Sequence, residues 1–83
     1  MIEEPVDFVI SYLEKRGSLP QDRADLLRCR YLDLGLIGSL EIIGFILELE
    51  ERFGIALSAE DTQSDAFRTI GGVAAMVKSK MGS

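Results

Sequence analysis

An all-α domain, a four-helix bundle with one short helix, is what this sequence predicts. Apolar residues recur at helical spacing in three separate segments, and no segment shows the strict alternation of a half-buried strand. Glycine, proline and capping residues fall at the ends of the periodic stretches. Eighty-three residues, 47% hydrophobic and 28% charged, suffice for one core and not for two, so residues 1–83 are expected to form a single domain.

The first helix is expected from about Pro5 to Arg16, where Val6, Val9, Ile10 and Leu13 fall at i, i+3, i+4 and i+7 and make one apolar face. Pro5 suits a first turn, whose N–H would lack a partner anyway, and Gly17 suits the position just past the end. Residues 17–38 carry Gly17, Pro20, Gly35 and Gly38, which argue against one continuous helix. A long connection is expected there, with Asp22 placed to cap a turn or two before Leu26 and Leu27. Connections longer than about 12–15 residues are uncommon unless functional. Leu26, Leu27, Tyr31, Leu32, Leu34, Leu36 and Ile37 are expected to pin this one to the core.

From Ser39 to Phe53 the helical pattern is strongest. Ile42, Phe45, Ile46, Leu49 and Phe53 cluster on one side of a 100° wheel, and Gly54 follows as a stop. A second side carries Leu40, Gly44, Leu47 and Glu51 at i, i+4, i+7 and i+11, flanked by Glu41 and Glu48, and is mixed apolar and acidic. Ser58 precedes Asp61 by three residues, a variant capping box that predicts a brief helix near 59–63. Thr69 caps a last helix in which Ile70, Val73, Ala74 and Val77 repeat the apolar spacing, with Lys78 and Lys80 near its negative end. Phe45, Phe53 and Phe67 are expected in the core.

Composition removes several function classes. There is no histidine and one cysteine, so a Ser-His-Asp triad, a Cys-His pair, a histidine-bearing zinc site and an intramolecular disulfide are excluded, and the chain is not expected to be an enzyme. The net charge of −5 is unevenly spread: residues 33–65 hold eight acids against Arg52 alone. An acidic centre opposes phosphate binding, so nucleic acid is not an expected partner. Proteins with basic patches are. Met1-Ile2-Glu3-Glu4-Pro5 lacks the start of a secretory signal, and no apolar run is long enough to cross a bilayer. With a lone thiol, the expected compartment is the cytoplasm. Cys29 lies between Arg28 and Arg30, yet reads first as a small buried hydrophobe.

Ser39 is the informative position, since it starts the best helix after a long connection. A helix start gathers unpaired N–H groups and partial positive charge, a favourable field for a phosphate esterified to that hydroxyl. As a plain alternative, Ser39 only caps the helix. No general base for Ser39 is evident, so the hydroxyl reads as another enzyme's substrate.

The string DLGLIGSLEIIGFILELEERFGI, the following LSAED and the closing FRTIGGVAAMV resemble, in order and spacing, the acyl carrier proteins and the related peptidyl and aminoacyl carriers. The resemblance implies an up-and-down four-helix bundle with a long first loop and a short third helix. It also implies 4'-phosphopantetheine transferred from coenzyme A to Ser39, with acyl or aminoacyl groups then carried as thioesters on the arm's thiol. Asp33 and Gly35 match the family's Asp-x-Gly, Leu40 its leucine after the serine, and Leu49, Glu50 and Phe53 its helix end. The implied partners are a phosphopantetheinyl transferase, a loading ligase and downstream acyl-processing enzymes, met by a monomeric carrier. The family's aspartate before the serine is replaced here by Gly38, a weaker helix cap. This departure supports an alternative in which the same fold serves as an unmodified interaction module. A further alternative is an unrelated helical adaptor.

An apolar centre with an acidic rim suits brief docking by successive enzymes, so Leu40, Glu41, Gly44, Leu47, Glu48 and Glu51 are the candidate partner-binding residues. Gly44 stands where many carriers have an acid. Fatty acyl, polyketide, aminoacyl and lipid A-type cargoes share the fold, and nothing in the sequence chooses among them.

Overall fold

The computed structural model describes residues 4–38 and 40–82. Among them the chain is helical with no strand, in the order α1 (Pro5–Glu14), α2 (Arg23–Arg28), α3 (Glu41–Phe53), α4 (Ala59–Gln63), a 3-10 turn (Asp65–Arg68) and α5 (Ile70–Met81). The bundle measures 31 × 29 × 21 Å. No helix among the described residues is long and apolar enough to cross a membrane.

Among the described residues five α-helices stand where four were expected, because the long connection contains one. Asp22 caps α2 by accepting the Asp25 N–H at 3.2 Å, and Leu26 is buried. The connection is pinned as anticipated through Leu26, Tyr31 and Ile37, which are buried, and through Leu32 and Leu36, which pack against the core. Leu34 does not take part and faces solvent. Helix α1 stops at Glu14, earlier than Arg16, and Gly17 is not left-handed. A Cβ at Gly17 would lie 2.7 Å from Leu36 Cδ2, the movable end of a side chain, so the position favours a small residue without demanding glycine.

Helix α5 packs against α1, α2, α3 and the 3-10 turn. Its start is capped by Thr69, whose hydroxyl accepts the Gly72 N–H at 3.0 Å. Ile70, Val73, Ala74 and Val77 are buried, as their spacing requires. The Ile70 N–H donates to the Cys29 carbonyl at 3.1 Å, fastening the end of α2 to the start of α5. Contacts Phe8–Phe53, Tyr12–Phe45 and Arg16–Glu41 run α1 antiparallel to α3. At the centre Tyr31, Phe45 and Phe67 meet with ring centroids 5.8–6.4 Å apart, tilted or edge-to-face.

Both halves of the capping box at α4 form: Ser58 Oγ accepts the Asp61 N–H at 3.1 Å, and Asp61 Oδ2 accepts the Ser58 N–H at 2.9 Å. The same carboxylate meets Lys80 Nζ at 2.8 Å, tying α4 to the end of α5. The Lys80 contact, helped by the Ser58 bonds, lowers the Asp61 pKa from 3.8 to about 2. A depressed carboxylate pKa stabilises the fold above the unfolded value, and that stabilisation disappears as pH falls through the folded one. Asp61→Asn is therefore expected to be less stable than the parent at neutral pH. The two melting curves should converge between about pH 4 and pH 2. A constant difference across that window would remove Asp61 from the acid response.

Candidate functional site

The site is the junction where the long connection enters α3. Ser39, the candidate attachment residue, lies outside the described residues, and its two neighbours are exposed. Gly38 accepts the Ile42 N–H on its carbonyl at 3.0 Å, so helical hydrogen bonding begins at Gly38 although α3 is counted from Glu41. The Gly38 N–H donates to Glu41 Oε1 at 3.3 Å, which is one half of a capping box. Gly38 has no side chain to supply the other half. Upstream, Asp33 accepts from Arg30 Nε at 2.6 Å, and Gly35 takes the left-handed conformation at φ 73°. The Asp-x-Gly pattern is thus a turn: the acid is held by Arg30, and the glycine adopts a backbone geometry that side chains disfavour.

Helix α3 buries Phe45 and Leu49 and half-buries Ile42, Ile46 and Phe53, the face its periodicity specifies. Gly54, left-handed at φ 63°, ends it by donating its N–H to the Glu50 carbonyl. The opposite face is open. Leu40 is 87% exposed, Ile43 59% and Leu47 58%, and Leu34 of the preceding connection is 62% exposed. Leu40, Ile43 and Leu47 follow i, i+3 and i+7 spacing and form one strip, with Gly44 beside it and nothing within 4 Å of where its Cβ would be.

The candidate partner-binding residues therefore divide. Leu40, Gly44, Leu47, Glu48 and Glu51 are exposed along the strip. Glu41 is exposed as well, but its carboxylate is engaged inside the molecule by Arg16 at 3.1 Å and by Gly38. Ile43 was missed, although its spacing from Leu40 and Leu47 marks it on the same strip. Leu34 was assigned to the core because it is apolar, and nothing local in the sequence distinguishes it from Leu36.

The acidity of the middle segment does not survive folding as a uniform face. Lys15 and Arg16, just past α1, line an open groove of about 380 Å³ against α3, together with Phe8, Tyr12, Glu48 and Arg52. The Arg16 guanidinium lies 3.9 Å from the Tyr12 ring centroid and that of Arg52 lies 5.0 Å from Phe8. Cys29 is buried and burial pushes its thiol up, opposite to the lowering its flanking arginines would cause. It acts as a small hydrophobe. Among the described residues no group of three or more acidic or thiol side chains could hold a metal ion. No protein-family model, curated protein or solved structure matches the chain.

Proposed function

We propose that this chain is a discrete carrier protein in which Ser39 bears a 4'-phosphopantetheine arm and the exposed strip of α3 docks the enzymes that load and use it. The observation that carries the reading is the strip itself. Three large apolar side chains follow the candidate serine along one exposed helix face, an arrangement costly to leave in water without a partner to cover it. Gly38 and Leu40 flank Ser39 and are exposed, which is compatible with an arm leaving the surface there. The five-helix arrangement is read as a carrier-type bundle whose first connection contains a short helix.

The chain's own contribution is presentation. When attached, the arm would hold an acyl or aminoacyl group as a thioester on its terminal thiol. A tether raises the local concentration of that group at each active site, so a brief docking contact is enough. Such a brief contact does not need the roughly 800 Å² per partner of a stable interface. Pairing of Glu41 inside the molecule leaves Leu34, Leu40, Ile43 and Leu47 as the main docking groups, with Glu48 and Glu51 at the rim.

Incubation with coenzyme A and a broad-specificity phosphopantetheinyl transferase should add one arm by intact mass, and Ser39→Ala should stay bare. A folded parent chain that stays bare would reject the carrier reading. It would favour the second one, an unmodified interaction module, which the glycine at position 38 supports. Leu47→Glu is expected to weaken transferase binding about tenfold while leaving the thermal midpoint unchanged, because a half-exposed side chain contributes little to the core. Equal binding by Leu47→Glu and the parent would remove α3 as the docking face.

A further inference from the structure

Glycine has the most backbone freedom of any residue, yet the glycine before Ser39 is held at both of its polar groups. Its carbonyl accepts from Ile42 at 3.0 Å and its N–H donates to Glu41 Oε1 at 3.3 Å. The other oxygen of Glu41 accepts from Arg16 Nε at 3.1 Å. Arg16 is fixed in turn from the α1 side: Nη1 donates to the Tyr12 carbonyl at 3.0 Å and the guanidinium lies on the Tyr12 ring. That ring packs on buried Phe45 at 5.0 Å. A continuous set of contacts thus runs from the core through Tyr12, Arg16 and Glu41 to Gly38.

We infer that Arg16 and Glu41 are positioning residues that hold Gly38, and with it the start of α3, in one geometry. An isolated surface ion pair contributes little, because two long side chains must be ordered to form it. Here the ring and carbonyl of Tyr12 already order the guanidinium, and the carboxylate also satisfies an N–H at a helix start that has no intrahelical acceptor. The consequence for modification rests on the proposed function. An enzyme acting beside Gly38 meets a Gly38 backbone already held and is spared the entropic cost of fixing it on binding.

The test uses the full unmodified chain and reads the Ile42 amide, which reports opening of its bond to Gly38. Glu41→Ala should speed exchange there roughly twofold to fivefold, with Arg16→Gln showing a smaller effect in the same direction. Exchange at Val73 and Val77 should not change. Gly38→Asn adds a neutral cap, and a Cβ at 38 meets only Glu41 Oε1 at 3.4 Å. In the Glu41→Ala background it should restore slow exchange, and with it the KM for the transferase, which Glu41→Ala should raise at unchanged kcat. Unaltered Ile42 exchange in Glu41→Ala overturns the inference. So does failure of Gly38→Asn to restore either measure, which would make Glu41 a charge contact with the enzyme. If the exchange pattern holds while the parent takes up no arm, the carrier reading fails and the positioning role stands.

Discussion

Gly72→Ala is expected to destabilise the fold by about 3 kcal/mol or more, out of roughly 4–12 kcal/mol for a chain of this length. A Cβ at Gly72 would lie 2.0 Å from the Ala66 carbonyl oxygen and 2.7 Å from Thr69 Oγ1. The first obstacle is backbone in the 3-10 turn and the second is the cap of α5, so neither yields by a rotamer change. Gly72 does not adopt a positive φ, and its requirement for glycine is therefore steric. Gly71 faces a milder form of the same problem, with the Leu27 carbonyl 2.9 Å from its Cβ position. Gly44→Ala is the matched control. It lies inside a longer helix with nothing within 4 Å, and alanine there should stabilise by about 0.5–1 kcal/mol. Chemical denaturation of the two variants should move the midpoint in opposite directions. A Gly72→Ala midpoint equal to the parent's would mean that α5 and the 3-10 turn are less closely apposed than described.

Tyr31→Phe is expected to cost about 1–3 kcal/mol although it removes a single oxygen. The Tyr31 hydroxyl donates to the Phe67 carbonyl inside the core, across 36 residues of sequence. Phenylalanine keeps the ring contacts with Phe45 and Phe67 but leaves that carbonyl buried without its donor. Burial raises the Tyr31 pKa well above its usual 10, so the group remains a donor in the folded chain at high pH. The unfolded chain releases the proton first, and this contribution to stability therefore declines as pH rises beyond about 10. Tyr31→Phe lacks that decline, and the difference in stability between the two proteins should narrow in the same range. A gap that widens there would assign the alkaline response to another group.

The elements were legible because their determinants are local. Val9 and Leu13, Phe45 and Leu49, and Val73 and Val77 each lie four residues apart and are buried. Ser58, Thr69 and Asp22 reach N–H groups only three residues ahead. Gly54 needs only its own φ. Such interactions are specified by spacing, so the sequence carries them whatever the rest of the chain does. The extra helix was half legible for the same reason: the Asp22 cap is local, but burial of Leu26 against the bundle is not.

The candidate site divides along the same line. Composition and spacing by themselves determined the helical elements, the buried face of α3, and a second face of α3 that mixes apolar and acidic residues, although not the place of Ile43 on it. Only the tertiary structure decided that Leu34 is exposed while Leu36 packs against the core, that Glu41 is turned to Arg16, and that Lys15 and Arg16 offset the acids of α3. Each of these depends on residues distant in the chain being brought within a few ångströms, and burial and charge pairing are properties of that proximity, which no periodicity along the chain encodes.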